Sequence, residues 1–82
     1  MDVTVRYFAA ARAAAGVDSE TVSLAPGSTI SDLLGTLRTR DAKLSAVLDR
    51  CSFLCDEMAV RDTSKALATN QTVDVLPPFA GG

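Results

Sequence analysis

The sequence has 82 residues, of which 48% are hydrophobic, and its formal net charge is −2. This length predicts a single domain, and the hydrophobic fraction is too high for a disordered chain. Because the eight basic residues are scattered and the net charge is negative, the composition argues against nucleic acid as a partner.

Histidine and several common active-site motifs are missing from the sequence. The chain contains no histidine, which excludes a Ser-His-Asp triad, a Cys-His pair and the histidine spacing of zinc proteases. The Gly-rich loops that bind nucleotide phosphates are also absent. We therefore expect any chemistry to be done to this chain or together with a partner.

The two cysteines, Cys51 and Cys55, are too few for a metal site without further ligands. We interpret them as buried, reduced thiols, one at the end of a helix and one in a strand. No apolar run approaches the roughly 20 residues of a membrane span. The first residues lack the basic start of a signal peptide. We therefore expect a cytoplasmic protein with no membrane partner.

The first third of the chain predicts a strand, a short helix and a second strand. Apolar residues alternate over 3–8, with Phe8 facing outward at the strand end. The core-facing residues of this first strand are Val3, Val5 and Tyr7. The alanine-rich residues 9–15 predict a short helix that ends at Gly16. The second strand is predicted over 20–24 and is expected to pair antiparallel with the first.

Two amphipathic helical stretches follow. Thr29 is the predicted N-cap of the first stretch, with Asp32 near its free N–H groups, and the second begins near Asp41. In both stretches apolar residues recur at positions i, i+3, i+4 and i+7, which form one apolar face. These residues are Ile30, Leu33, Leu34 and Leu37 in the first stretch, and Leu44, Val47, Leu48 and Cys51 in the second.

The last third predicts three short strands, over residues 52–55, 58–61 and 72–76, with a turn at Asp56-Glu57 and a polar stretch anchored by Leu67. The whole order predicts an α+β protein, a β-grasp (ubiquitin-like) mixed sheet crossed by one long helical segment. In this arrangement the first and last strands are parallel neighbours. Arg6 is then expected near Asp74, and Phe8 near Leu76.

The sequence predicts that the end of the chain is a tail attached to this domain. We assign residues 1–76 to the β-grasp domain and residues 77–82, Pro77-Pro78-Phe79-Ala80-Gly81-Gly82, to a flexible tail. Proline cannot continue a central strand, and terminal glycines favour a loose, extended backbone. A tail without side chains at its end can enter a narrow channel and present its carboxylate to another protein.

Two segments resemble the small, sulfur-carrying subunits of molybdopterin synthase, the MoaD members of the MoaD/ThiS ubiquitin-like family. The first is Val3-Thr4-Val5-Arg6-Tyr7-Phe8-Ala9, followed by Arg12 and Gly16. The second is the ending, Val75-Leu76-Pro77-Pro78-Phe79-Ala80-Gly81-Gly82. The resemblance covers the whole chain in length, element order, tail and closing glycines.

The resemblance implies a mechanism in which the chain has no catalytic machinery of its own and binds no cofactor. A ubiquitin-activating-like partner enzyme would use ATP to adenylate the carboxylate of Gly82. A sulfur donor would then replace AMP and leave a thiocarboxylate. That sulfur would be donated to cyclic pyranopterin monophosphate within the large catalytic subunit of molybdopterin synthase.

The resemblance also implies roles for individual residues. Gly82 is the implied reactive residue, Gly81 lets the tail pass, and Pro77 and Pro78 direct it. The implied contacts with the large subunit are Phe8, Met58, Ala59, Leu76 and Phe79. Relatives often carry a smaller residue at the position of Phe79.

Three alternatives stay open at this point. The first is a sulfur carrier for thiamine or cysteine synthesis, although the alanine helix over 9–15 argues against the thiamine carriers, which tend to lack it. The second is a ubiquitin-like modifier that is joined to lysines through the same activated Gly82. The third is a plain interaction module whose Gly-Gly ending is incidental.

Overall fold

The computed structural model describes residues 1–78 of the chain. Its strands are β1 (Asp2–Tyr7), β2 (Ser19–Ser23), β3 (Ser52–Cys55), β4 (Met58–Ala59) and β5 (Thr72–Leu76). Its helices are α1 (Ala9–Ala15), α2 (Ile30–Arg38) and α3 (Ala42–Leu48). The strands form one sheet in the order β2-β1-β5-β3-β4, in which β1 and β5 are parallel and the other pairs antiparallel. The predicted α+β class, the mixed sheet and the parallel pairing of the first and last strands are confirmed.

The hydrophobic core lies between the helices and one face of the sheet. The strands bury alternate residues on that face, and the helices bury the apolar positions that the i, i+3, i+4 spacing predicted, except that Val47 is only half-buried and Cys51 lies beyond the end of α3, also half-buried. The core residues are Val3, Val5, Tyr7, Val22, Val73 and Val75 from the strands, Ala11, Ile30, Leu33, Leu34, Leu37, Leu44 and Leu48 from the helices, and Leu67 from the connection before β5. In the part of the chain that the structure describes, no helix crosses the opposite face of the sheet, which we call the open face.

The long helical segment consists of two helices with a break between them. Thr29 and Asp32 form the predicted cap of α2 as a reciprocal capping box, in which each side chain accepts from the other residue's backbone N–H. The chain leaves α2 at Thr39, and Asp41 then caps α3 by accepting from the backbone N–H of Lys43 at 2.7 Å. The break lets α2 and α3 turn separate apolar faces toward one core.

A partly buried polar network connects this break to the first two strands. The Tyr7 hydroxyl donates to Glu20 Oε2 at 2.7 Å, and the Arg40 guanidinium pairs with Glu20 Oε1. Burial by itself would raise the pKa of Glu20, but the hydrogen bonds from Arg40 and Tyr7 outweigh it and hold that pKa below its usual value. The ionised carboxylate therefore stabilises the fold at neutral pH.

Three strands end earlier than the sequence pattern predicts, β2 by a single residue at Ser23. The first strand ends at Tyr7, because Phe8 is the N-cap of α1 and Ala9 has a left-handed backbone with φ of 49°. β4 covers only Met58–Ala59, because the following segment leaves the sheet for the start of α2, where the Ser31 N–H donates to the Thr63 carbonyl at 2.8 Å. Gly16 closes α1 as predicted, with a left-handed φ of 80°. None of the helices within residues 1–78 is long and apolar enough to span a membrane.

Candidate partner-binding face and tail exit

The tail leaves the domain from the end of β5, beside Phe8. The Phe8 N–H donates to the Val75 carbonyl at 3.3 Å, so Phe8 is hydrogen-bonded to β5 one residue before that strand ends at Leu76. Pro77 is half-buried and Pro78 is exposed. The remaining tail residues assigned from the sequence, Phe79, Ala80, Gly81 and the reactive Gly82, lie outside the described residues, and their roles stay predictions.

The β1–β5 register brings together the pairs that the sequence predicted. Arg6 lies opposite Asp74, and Phe8 continues the same face toward Leu76. The Phe8 side chain is 39% exposed, and the Arg6 guanidinium carbon lies 5.6 Å from the centre of its ring. This distance fits a cation–π contact, which holds the ring on the open face of the sheet.

Asp74 lies on the open face of the sheet, opposite Arg6 as predicted, but only 4% of it is exposed. Asp74 is covered because it forms a bidentate ion pair with Arg6, in which Arg6 Nε donates to Oδ1 at 2.6 Å and Arg6 Nη2 donates to Oδ2 at 2.7 Å. The hydrogen bond with Asp74 also raises the pKa of Arg6. A buried carboxylate is thus fully compensated at the centre of this face.

Met58 and Ala59, which the resemblance grouped together as partner contacts, lie on opposite faces of the β3–β4 hairpin. Ala59 pairs with Leu54, which pairs in turn with Asp74, so Ala59 belongs to the open face. Met58 pairs with Cys55, whose partner is the core residue Val73, so Met58 lies on the opposite face. The structure therefore groups Phe8, Ala59 and Leu76, and it does not place Met58 with them.

Met58 belongs to a different groove, of about 220 Å³, on the helix side of the sheet. Met58 is 73% exposed there, and the other residues that line the groove are Ile30, Cys55, Ala59, Val60, Arg61, Asp62 and Lys65. The role of Met58 in partner binding stays a prediction, but a partner on the open face would not reach it from the side of Phe8.

Leu54 is a residue of the open face that the sequence analysis missed. It is half-buried in β3, between Asp74 of β5 and Ala59 of β4. The available signal was strand alternation, because Phe53 and Cys55 share the core side and Leu54 must then face the other way.

The tip of the hairpin adds a polar region to the open face. Asp56 and Glu57 both have left-handed backbones, with φ of 47° and 70°. Asp56 Oδ1 accepts from the Thr72 N–H at 2.9 Å, which ties the tip to the start of β5. Together with Arg6, Thr72 and Asp74, the two tip residues line a groove of about 330 Å³.

The two cysteines are free, as predicted, but half-buried rather than fully buried. Cys51 follows α3 and donates its S–H to the Val47 carbonyl at 3.2 Å, while Cys55 lies at the margin of the sheet beside the Met58 groove. Burial raises the pKa of both thiols. Among residues 1–78 no group of three or more His, Cys, Asp and Glu side chains could hold a metal ion.

Comparison with known proteins finds matches over the full chain. The model of the ThiS family matches residues 5–82. A protein of Chlamydomonas reinhardtii, a molybdopterin synthase sulfur carrier subunit, is 35% identical over 83 residues, which cover 100% of both chains. The structure of a putative molybdopterin converting factor, subunit 1, from Pyrococcus furiosus has a TM-score of 0.87 and 28% identity, covering 96% of this chain and 99% of that one.

A third likeness concerns the fold alone. The small archaeal modifier protein 1 (SAMP1) from Methanosarcina acetivorans has a TM-score of 0.84 at 23% identity, covering 99% of this chain and 96% of that one. The β-grasp arrangement is therefore shared by proteins with different names and uses. Because the family model spans nearly all of the sequence and the C. reinhardtii relative matches it from end to end, the chain belongs to the ThiS family.

Proposed function

We propose that this protein is the sulfur carrier subunit of a molybdopterin synthase. The observation that carries the proposal is the 35% identity to a molybdopterin synthase sulfur carrier subunit over the whole of both chains. The P. furiosus likeness, to a putative molybdopterin converting factor subunit, supports the same pathway over the thiamine and cysteine alternatives. The proposal also agrees with a sequence that lacks histidine and nucleotide-binding loops.

In the proposed mechanism the carboxylate of Gly82 carries the sulfur. Its oxygen attacks the α-phosphorus of ATP in an activating enzyme, and pyrophosphate leaves. The resulting acyl adenylate is an electrophile, so hydrosulfide from the donor attacks its carbonyl carbon, AMP leaves with the bonding electron pair and the sulfur loses its proton. The product is a thiocarboxylate, whose sulfur is then the nucleophile toward cyclic pyranopterin monophosphate in the large subunit, and water cleaves the new thioester at the Gly82 carbonyl, which leaves the sulfur on the pterin and restores the carboxylate.

The contribution of this chain is to present its tail from a defined position. We propose that the large subunit covers the open face, contacting the apolar residues Phe8, Leu54, Ala59 and Leu76. An exposed aromatic side chain with apolar neighbours is a common anchor of protein–protein contacts. Since β5 ends in this patch, a partner held there receives the tail in a fixed direction.

The proposal is tested by the intact mass of the protein after incubation with the activating enzyme, ATP and a sulfide source. We expect one terminal oxygen to be replaced by sulfur, with fragmentation placing the change at Gly82. The thiocarboxylated protein and the large subunit should then convert the pterin precursor. A variant lacking Gly82 is the control, with no mass change and an unchanged melting temperature. An unmodified wild-type mass, with an activating enzyme shown to be active, would contradict the proposal.

The modifier alternative predicts a different product from the same activated Gly82. A lysine amine would attack the acyl adenylate or a thioester derived from it, and an isopeptide bond would form. The fold likeness to the M. acetivorans modifier does not discriminate between the two functions, because both use this fold. Because Lys65 is the last tryptic site of this chain, lysines of other proteins that carry residues 66–82 after tryptic digestion, found by mass spectrometry after reaction without the pterin precursor, would favour the modifier.

A further inference from the structure

The open face of the sheet changes character along β5. Leu76 and Phe8 form its apolar end, where the tail leaves. The Arg6–Asp74 ion pair lies in the middle, and Thr72 begins the strand beside Asp56 and Glu57 of the hairpin tip. Leu76 follows Thr72 by four positions along the strand, a distance of roughly 13 Å at the usual rise per residue. A single protein surface can cover both ends.

The polar end of this face carries uncompensated negative charge. Arg6 satisfies both oxygens of Asp74, so this pair contributes little net charge to the groove. Asp56 uses one carboxylate oxygen to hold the Thr72 N–H. Glu57 takes part in none of the ion pairs or side-chain hydrogen bonds found among residues 1–78. The groove of about 330 Å³ is lined by three carboxylates, those of Asp56, Glu57 and Asp74, and by one guanidinium, that of Arg6, so two negative charges are left in excess.

We propose that this groove receives a lysine or arginine side chain of the partner that covers the apolar end of the same face. The inference rests on the proposed function, in which the large subunit docks on this face, and adds the chemistry that its surface must have. That surface is apolar opposite Phe8 and Leu76, and it carries a cation about 13 Å away, opposite Glu57.

Charge complementarity favours this occupant over the alternatives. An acidic side chain would approach Glu57 and Asp56 and be repelled, because Arg6 is already engaged by Asp74. An apolar side chain would strip water from Glu57 and offer it no partner. A cation satisfies the Glu57 carboxylate as the groove loses water, and it fixes the register of the partner along β5.

The first test compares two substitutions with the same change in net charge. Glu57→Lys reverses the charge in the groove. Asp18→Lys reverses an exposed charge just before β2, at the opposite edge of the sheet. Dissociation constants for the purified large subunit are measured at low and high salt. We expect Glu57→Lys to weaken binding by about tenfold or more at low salt, and less at high salt, because such contacts are screened.

The matched controls decide whether the effect belongs to the groove. Asp18→Lys should change the dissociation constant less than about twofold, because the Asp18 side chain pairs with Arg12 of α1, on the helix side of the sheet. Glu57→Gln keeps the shape of the side chain and should give an intermediate loss. Equal effects of Glu57→Lys and Asp18→Lys would overturn the proposal, since they would report net charge and no local contact. Concentration-dependent sedimentation of wild type that Glu57→Lys abolishes would overturn it too, by assigning the groove to a second copy of the chain.

A second measurement does not depend on the identity of the partner. N-acetyl-arginine amide is titrated into the isotope-labelled protein, and backbone amide shifts are followed. We expect saturable shifts at Glu57 and Thr72 that are absent in Glu57→Gln. Shifts spread evenly over the chain, or unchanged in Glu57→Gln, would refute the cation site. If wild type fails to bind the large subunit while Glu57 still responds to the probe, the proposed function fails and the cation site stands.

Discussion

Met58 and Ala59 are neighbours in the chain but lie on opposite faces of the sheet, and this offers a direct test of the docking face. Ala59→Gln places a polar amide on the open face, opposite Leu54. Met58→Gln places the same amide on the helix side of the sheet, and glutamine is similar in length to the methionine that it replaces. Both wild-type residues are exposed, and neither substitution changes the net charge. The two variants therefore differ in the face that they alter.

The expected magnitude follows from burying an amide without a partner. Where a docked subunit covers Ala59, the glutamine amide loses its water, which costs about 2 kcal/mol in protein mutants. At about 1.4 kcal/mol per factor of ten, binding should weaken about 30-fold. Met58 is 73% exposed on the other face, so its amide keeps its water. Met58→Gln should therefore change the dissociation constant by less than about threefold, within the range of neutral surface substitutions.

The assay is a calorimetric titration of each variant with the purified large subunit, with melting temperatures as the folding control. We expect all three proteins to melt within a few degrees of one another. A loss of affinity in Met58→Gln that equals the loss in Ala59→Gln would refute the assignment of the open face as the docking surface. A loss in Met58→Gln alone would place the partner on the groove beside Cys55.

Two further predictions concern the stability of the fold. Thr29→Ala removes one half of the capping box of α2, which should cost about 1 kcal/mol and lower the melting temperature by about 4–8 °C. Thr21→Ala, on the exposed edge strand, is the matched control in a thermal melt followed by circular dichroism, and equal losses would argue against the cap. The second prediction concerns pH. Because the folded pKa of Glu20 lies below its usual value, its stabilising contribution is present above the unfolded pKa and is lost as pH falls through the folded one. Urea midpoints of wild type should thus fall more steeply below about pH 4.5 than those of Glu20→Gln, and parallel curves would show that the Tyr7–Glu20–Arg40 network contributes nothing.

Local patterns were sufficient to predict most of the fold. Strand alternation assigned Val3, Val5 and Tyr7 to the core, and helical spacing assigned the buried residues of α2. The N-cap at Thr29 could be predicted because its side chain and that of Asp32 bond within one turn. These features depend on residues close in sequence, so the sequence alone carries the information.

The sequence located the turn of the β3–β4 hairpin at Asp56-Glu57, but the faces of its strands were not assigned from the sequence. A two-residue turn with both residues left-handed is usually marked by Asn-Gly or Asp-Gly, and here it is formed by Asp56 and Glu57. Without that glycine the register across the turn has weaker support in the sequence, and a shift of one residue would exchange the faces of Met58 and Ala59. The burial of Asp74 was equally hidden, because it depends on the conformation in which the Arg6 side chain lies across it.

The parallel pairing of β1 and β5 connects the contact surface to the chemistry of the tail. It places Phe8, near the start of the chain, beside the end of β5, where the assigned tail begins. In the proposed mechanism, six fully extended residues would span at most about 20 Å, so the site that acts on Gly82 would lie within that distance of the proposed docking face. The two half-buried thiols are poor competitors for the proposed sulfur-bearing role, because burial raises their pKa and disfavours the thiolate. A domain that bound its partner through this face and presented a carboxylate from the edge of that face would need no catalytic side chain of its own for the proposed transfer.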